Sequence, residues 1–267
     1  MLSLIVNMPI FIDKKQGETP LEALNRLRVS KPEYKNERLS YAGRLDPLAE
    51  GLLLVLVGNE CDQDKRDGFL GLKKEYEISV MFGISTDSYD LLGIPHFLKK
   101  SLDKINVKNV TSSVEKIIKE FIGKNHNLTY PPFSSKTING KSLFQLSLEG
   151  KITKNALPRI TGSIDSIEIT KSTEITTFEL LKHIDITIGL VKGDFRQDKI
   201  ISDWHKVLET IDLVDIKWPI MSIKVSCDSG VYMRSLANEL GERLGLGALA
   251  FSIKRTKVGD YSLLNMA

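Results

Sequence analysis

Apolar and polar positions alternate along two stretches of the chain, and this pattern predicts two half-buried strands. Apolar side chains occupy every second position from Tyr76 to Phe82 and again from Met221 to Cys227. A repeat of two is typical of a strand that has one face in the core. A continuous apolar run from Leu52 to Val57 predicts a third strand, buried on both faces.

Other segments carry the start signals and the repeat of helices. Thr19, Pro20 and Glu22 form a capping box with proline at the first helical position, and Leu21, Leu24 and Leu27 supply the apolar stripe. The pattern predicts further elements: a strand at Pro9–Asp13, a helix opening at Ser112 with Glu115, alternating pieces at Ile164–Ile169 and Ile184–Ile188, a helix over Lys199–Ile211, and a helix that starts after Tyr232.

Two charged residues stand at the ends of these elements, where chemistry is often placed. Asp46 lies between Gly43 and Pro47, just before the apolar run, and can serve as a nucleophile or as a simple helix N-cap. Arg234 falls in the first turn of a predicted helix, where the helix dipole disfavours a cation. An arginine in that place calls for a compensating carboxylate or phosphate.

Composition narrows the class of protein. The 267 residues, 42% of them hydrophobic, predict a globular protein with a substantial core, and a net charge of +3 allows a nucleic-acid partner without requiring one. Cys61 and Cys227 lie far apart, and the four histidines lack the spacing of metal ligands, so we expect neither a metal nor a cofactor. No signal peptide or membrane segment is evident, which favours a cytoplasmic location.

Two regions interrupt the predicted core. The segment from Pro131 to Gly150 contains a Pro-Pro pair that no central strand accepts, and it indicates an excursion from the core. The region from Thr161 to Trp218 shows no pattern typical of chemistry, and its charges, such as Lys192 and Arg196, are interpreted as a solvated face.

Five stretches resemble the TruB-type family of tRNA pseudouridine synthases, and they follow one another along the chain in the family's order. Gly43-Arg-Leu-Asp-Pro-Leu-Ala-Glu-Gly-Leu-Leu53 resembles the catalytic motif G-x-L-D-P-x-A-x-G-x-L. Lys74-Glu-Tyr76 resembles the K-x-Y strand, and Gly230-Val-Tyr-Met-Arg234 resembles a G-T-Y-I-R segment. Lys15 to Thr19 is similar to the N-terminal K-P-x-G-x-T, and Pro131 to Gly150 to an RNA-gripping insertion.

The resemblance implies an α+β pseudouridine synthase fold, a mixed and mostly antiparallel sheet flanked by helices. It implies one catalytic domain over residues 1–267, with insertions at about 130–150 and 162–218 and without the C-terminal RNA-binding PUA domain. The expected product is pseudouridine in the T-loop of tRNA, at position 55 in tRNA numbering. We expect a monomer that needs no cofactor, because isomerisation neither oxidises nor transfers a group.

The resemblance also implies roles for single residues. Asp46 would be the nucleophile, and Arg234 the cation that keeps it ionised. Tyr76 would receive the extruded base and move a proton. Further substrate contacts are expected from the base-pocket and RNA-backbone residues Tyr232, Tyr41, Arg44, Ile253, Lys136 and Lys15.

The chain departs from the family pattern at two positions and is similar to a sister family at a third. Gln16 stands where the family has proline, and Tyr41 stands where the family usually has histidine. Arg44 before Leu45-Asp46 is similar to the R-L-D motif of RluA-type synthases, a sister family. Two alternatives therefore stay open beside the tRNA enzyme: a synthase that acts on ribosomal or other RNA, and a tRNA-binding folding helper without chemistry.

Overall fold

The computed structural model describes residues 9–97, 105–123, 125–209 and 216–263. Its strands are β1 Ile10–Lys14, β2 Leu39–Ala42, β3 Ala49–Val57, β4 Lys74–Phe82, β5 Ile84–Thr86, β6 Pro95–Phe97, β7 Asn125–Thr129, β8 Thr137–Ile138, β9 Lys141–Ser142, β10 Arg159–Thr176, β11 Lys217–Cys227, β12 Ala248–Val258 and β13 Tyr261–Ser262. Its α-helices are α1 Pro20–Ser30, α2 Gln63–Leu70, α3 Val107–Ile118, α4 Leu143–Leu148, α5 Thr177–Gly189, α6 Gln197–Glu209 and α7 Met233–Leu244.

One nine-stranded sheet organises the described residues. Its main path runs β1-β3-β12-β4-β11-β10-β7, with β2 added to β3 and β13 to β12. The pairs along this path are antiparallel apart from β3 and β12, which pair in parallel. This mixed, mostly antiparallel sheet with flanking helices confirms the α+β fold class expected from the sequence.

Helices cover both faces of the sheet, because alternate strand residues point to opposite sides. On one face Ile78 and Val80 of β4 belong to a cluster with Val114 of α3 and Leu236 of α7. On the other, Met81 of the same strand belongs to a cluster with buried residues of α5 and α6. The predicted strands at Tyr76–Phe82, Met221–Cys227 and Leu52–Val57 are confirmed.

Several local predictions were wrong. The helix expected to open at Ser112 begins at Val107, where Asn106 caps it. The alternation at Ile184–Ile188 lies within α5, where the four-residue spacing of buried residues is helical. Leu21 was assigned to the apolar stripe of α1 but is 62% exposed. The helix expected over Lys199–Ile211 is α6; its last two expected residues lie outside the described residues.

The Pro131–Gly150 excursion contains the β8–β9 hairpin and α4, and it leaves the sheet between β7 and β10. Leu143 is fully buried and is the first residue of α4, which Ser142 and Gln145 begin with a capping box. Among the described helices, none combines the length and apolar character that crossing a membrane requires.

Candidate active site

Asp46 lies in a turn that leads into β3, and no helix follows it. The backbone N–H of Ala49 donates to the carbonyl of Asp46 at 3.0 Å, and the chain enters the strand at once. The alternative interpretation of Asp46 as a helix N-cap was therefore wrong. Its carboxylate is instead about one quarter exposed, at the edge of a cavity.

Arg234 binds this carboxylate with two parallel hydrogen bonds. Its Nη2 donates to Asp46 Oδ1 and its Nε to Asp46 Oδ2, both at 2.8 Å. The arginine is the second residue of α7 and is only 3% exposed. The compensating anion that the sequence called for at the start of this helix is thus Asp46. Such a bidentate pair fixes the carboxylate in orientation as well as in charge.

Two carbonyl acceptors and a second carboxylate hold the guanidinium from behind. Nη1 donates to the carbonyls of Ser88 at 2.8 Å and Phe133 at 3.2 Å, and a second carboxylate, Asp90, lies 3.5 Å from Nε. Burial disfavours the charge of Arg234, but Asp46 and Asp90 outweigh it and raise its pKa. Burial raises the pKa of Asp90, and the positive charge of Arg234 opposes this shift.

A cavity of about 240 Å³ opens beside Asp46. Its volume suits one nucleobase better than a larger ligand. Its walls include most of the residues that sequence reasoning proposed, namely Arg44, Asp46, Tyr76, Tyr232 and Ile253.

Two tyrosines form the aromatic part of this cavity. Tyr76 lies on β4 and is 8% exposed; burial raises the pKa of its phenol, and the nearby Arg255 partly offsets the shift. Tyr232 caps α7, and burial raises its pKa to about 12. Tyr232 also packs edge-on against Tyr130, with ring centroids 5.1 Å apart. Both phenols are therefore neutral at physiological pH and can stack with or donate to a base.

Tyr41 and Arg44 form a pair at the mouth of the cavity. Arg44 Nη2 donates to the Tyr41 hydroxyl at 2.7 Å, and its guanidinium carbon lies 5.8 Å from the centre of the Tyr41 ring. Arg44 lines the cavity, whereas Tyr41 supports it from behind. The tyrosine that departs from the family pattern thus fixes the arginine that precedes Leu45-Asp46.

Lys15 and Lys136 do not line this cavity. Lys15 is exposed and pairs with Asp13, and Lys136 lies over the ring of Tyr130, 5.6 Å from its centre. Lys14, which sequence reasoning passed over, is buried under the Asp46 turn and donates to the carbonyls of Pro47 at 3.3 Å and Ala49 at 2.5 Å. Burial lowers its pKa to about 8.

Two other buried cations support the site from the strands. Arg255 of β12 donates to the carbonyls of Leu52 at 2.7 Å and Gly43 at 2.9 Å, so it ties the residues before Asp46 to the sheet. Lys74 donates to Ser229 at 2.7 Å, and burial lowers its pKa to about 8, with Arg255 adding to the shift. Within the described ranges, no group of three or more His, Cys, Asp or Glu side chains could hold a metal ion.

The family model of TruB family pseudouridylate synthases, N-terminal domain, matches residues 31–193. The chain belongs to this family. Two curated relatives of this TruB-family chain are named tRNA pseudouridine synthase B. That of Chloroherpeton thalassium is 27% identical over 256 residues, covering 95% of this chain and 84% of the relative. That of Aquifex aeolicus is 27% identical over 254 residues, covering 95% and 69%.

Solved structures show the same fold as this TruB-family chain. One is a chain of an H/ACA RNP bound to a substrate RNA containing 2′-deoxyuridine, with a TM-score of 0.51 and 16% identity. Another is a chain of a Cbf5-Nop10-Gar1 complex, with a TM-score of 0.52 and 16% identity. Each alignment covers 96% of this chain, which spans about half the length of those chains.

Sequence reasoning missed the residues behind Arg234 in the TruB-family site. The polar residues of Gly83–Asp90 predict a loop, but the segment contains β5, and its Ser88 and Asp90 are buried. The signal was the density of small hydroxyl residues and aspartates in one short segment, which suits a buried hydrogen-bonded turn as well as a solvated loop. Arg196, interpreted as solvated, is only 20% exposed.

Proposed function

We propose that this chain isomerises a uridine in the T-loop of tRNA, at position 55, to pseudouridine, with Asp46 as the nucleophile. The observation that carries the proposal is the bidentate Asp46–Arg234 pair at the edge of a cavity of nucleobase size. The names of the relatives support tRNA as the substrate. The chain acts in the cytoplasm, as a monomer and as one catalytic unit.

Each residue of the site has a defined task in this proposal. The target uridine leaves its stack and enters the cavity, where Tyr76 and Tyr232 receive the base. The Asp46 carboxylate attacks C1′ of the ribose or C6 of the base, and the glycosidic N1–C1′ bond breaks. The base rotates, its C5 carbon bonds to C1′, and the bond to Asp46 breaks, which frees the carboxylate. The proton at C5 then leaves and N1 gains one, with the Tyr76 hydroxyl relaying the C5 proton. Arg234 keeps Asp46 charged and aimed at the substrate throughout.

The RNA backbone is held outside the cavity. Arg44, fixed by Tyr41, places a positive charge at the mouth, within reach of the phosphates that flank the extruded uridine. Lys136 of the insertion lies over Tyr130, which contacts Tyr232, so the insertion brings its charge close to the same opening. These contacts position the RNA without reading its sequence.

Unmodified tRNA transcript provides the test. The protein is incubated with the transcript, and pseudouridine is mapped by carbodiimide adduct formation and primer extension. We expect a single stop in the T-loop with the wild type and none with Asp46→Asn, which keeps the shape of the side chain. Product on ribosomal RNA alone would replace tRNA as the substrate. Intact tRNA binding without any product would support the folding helper instead.

A further inference from the structure

The connection between α5 and α6, residues 190–196, reaches the back of the active site. We propose that Arg196 in this connection is a positioning residue for the pseudouridine reaction, because it clamps together the two backbone segments that hold Arg234. The proposal rests on the catalytic role proposed for the Asp46–Arg234 pair.

The first segment that Arg196 binds is the turn after β5. Its Nη1 donates to Asp87 Oδ2 at 2.9 Å and its Nη2 to Asp87 Oδ1 at 3.4 Å. Asp87 in turn accepts the backbone N–H of Ile94 at 2.8 Å, which closes the turn. Both partners of the pair are largely buried, with 20% and 25% of their side chains exposed. The pair is therefore screened less by water than a surface salt bridge.

The second segment is the base of the insertion. The guanidinium carbon of Arg196 lies 3.7 Å from the centre of the Phe133 ring, a close cation–π contact. Phe133 also packs edge-on against Phe144 of α4, with ring centroids 5.7 Å apart, and Phe144 packs against Phe195 at 5.8 Å. The residue before Arg196 thus strengthens the same contact.

Both segments end on Arg234. The carbonyl of Ser88, the residue after Asp87, accepts a hydrogen bond from Nη1 of Arg234 at 2.8 Å. The carbonyl of Phe133 accepts hydrogen bonds from Nη1 of Arg234 at 3.2 Å and from Nη2 at 3.3 Å. Arg196, Arg234 and Asp46 also line one small cavity of about 30 Å³. A movement of Arg196 therefore displaces two of the acceptors that orient Arg234.

The backbone of this clamp is strained on both sides. Arg196 has a φ of +67° and Tyr89, two residues after Asp87, has a φ of +66°. Residues other than glycine adopt this left-handed conformation at a cost, and such strain is concentrated at functional sites. The match to the family model ends at residue 193, so Arg196 lies outside the matched segment.

Arg196 does not line the 240 Å³ cavity beside Asp46. It forms instead part of the wall of a larger cavity, of about 740 Å³, on the far side of Phe133. A base held in the 240 Å³ cavity beside Asp46 therefore does not contact Arg196. The predicted effect of its loss falls on turnover and spares the affinity for RNA.

Steady-state kinetics on unmodified tRNA test the proposal, with Lys192→Ala, an exposed residue of the same connection, as the matched control. We expect Arg196→Ala to lower kcat by about 10- to 100-fold, since small misplacements of a catalytic group cost that much. KM is expected to stay within about 3-fold of the wild-type value. Arg196→Lys keeps the charge but loses the planar guanidinium, so its kcat should lie between those of the wild type and Arg196→Ala.

A double-mutant cycle separates positioning from simple destabilisation. Phe133→Leu removes the ring on which Arg196 stacks, so the double variant should lose less than the product of the two single losses in kcat. The Arg196→Lys and Phe133→Leu variants carry the test if Arg196→Ala does not fold. An unchanged kcat, a loss confined to KM, or independent losses in the cycle would each overturn the proposal.

The wild type is assayed first, so that the two proposals fail separately. A wild type that modifies ribosomal RNA but not tRNA contradicts the proposed substrate, and the same variants are then compared on the RNA that is modified. A wild type that is active beside a fully active Arg196→Ala contradicts the clamp alone.

Discussion

At the scale of the residue, the site depends on one guanidinium that serves several partners at once. Arg234 binds Asp46 through two nitrogens and satisfies the carbonyls of Ser88 and Phe133 with the rest of its fork. A lysine is a point charge with three donors, so it cannot reproduce this planar arrangement.

We therefore expect Arg234→Lys to retain the charge yet lose about 100-fold or more in kcat, because Asp46 loses its orientation. Pseudouridine formation on unmodified tRNA under single-turnover conditions measures this loss. Lys192→Ala serves again as the control, and its rate should match the wild type. A lysine variant with a near-normal rate would show that charge alone is sufficient.

Lys14 gives a second prediction, on stability against pH. Its pKa is lowered by burial from 10.5 to about 8 in the folded protein. Between these two values the unfolded chain binds more protons, so this lysine's contribution to stability rises with pH and is lost as the pH falls toward 8. Lys14→Met lacks this dependence. The free energy of unfolding of the wild type, relative to that of Lys14→Met, should rise by up to about 1.4 kcal/mol per pH unit in this window.

Urea denaturation of both proteins at pH 7.5, 8.5 and 9.5 measures the difference. The free energy of unfolding of the wild type is expected to rise relative to that of Lys14→Met at each step above pH 8. Parallel pH curves for the two proteins would show that Lys14 keeps an ordinary pKa in the folded state.

At the scale of the element, the close parallel pairing of β3 with β12 keeps the Asp46 turn in place. Gly51 pairs with Arg255 of β12 and has a φ of +102°. A Cβ atom at this position would lie 2.3 Å from the backbone oxygen of Arg255. Because Arg255 also holds Gly43 just before Asp46, a shift at Gly51 is transmitted to Asp46.

Gly51→Ala is accordingly expected to destabilise the protein by about 2 kcal/mol or more and to reduce activity with it. Gly68→Ala is the matched control, since a Cβ atom there meets nothing within 4 Å. That change, in the middle of α2, should stabilise the protein by about 0.5–1 kcal/mol. Thermal unfolding of the two variants compares them directly, and similar melting temperatures would contradict the steric argument.

Elements with a clear repeat were predictable from the sequence, whereas a tertiary partnership was predictable only where the family resemblance supplied it, as for Asp46 and Arg234. The alternation at Tyr76–Phe82 reports one buried face and needs no other part of the chain. The alternation at Ile184–Ile188 misled, because Ile184 and Ile188, four residues apart, share one face of a helix as readily as one face of a strand. Asp90 and Arg196 acquire their roles from residues far away in the sequence, such as Arg234 and Asp87, and no local pattern marks such pairs.

At the scale of the whole molecule, the lysines in and beside the insertion at Pro131–Gly150 differ in whether they pair with a carboxylate. Lys141 of the insertion and Lys151, directly after it, both bind Glu149, at 3.3 and 2.6 Å, so part of their charge is neutralised locally. Lys136 lies instead over the ring of Tyr130, close to Tyr232 of the active site.

We predict that Lys136→Ala weakens tRNA binding and lowers the slope of log Kd against log salt concentration by about 1, as the loss of one phosphate contact would. Lys141→Ala should lower the slope less, because Glu149 offsets its charge. Binding measured between 50 and 200 mM salt tests both variants, with Lys199→Ala on α6 as the control. Equal slopes for all three would place the RNA away from the insertion.

The position of β12 in the sheet has a consequence for folding during translation. This strand lies between β3 and β4, and its Arg255 contacts Leu52, 203 residues earlier in the chain. Domains emerge from the ribosome amino end first, and contacts so distant in sequence form late. In a nascent chain that stops at Gly247, β3 and β4 lack the strand that lies between them in the sheet. We therefore expect the protein to stay inactive toward RNA until translation has passed β12.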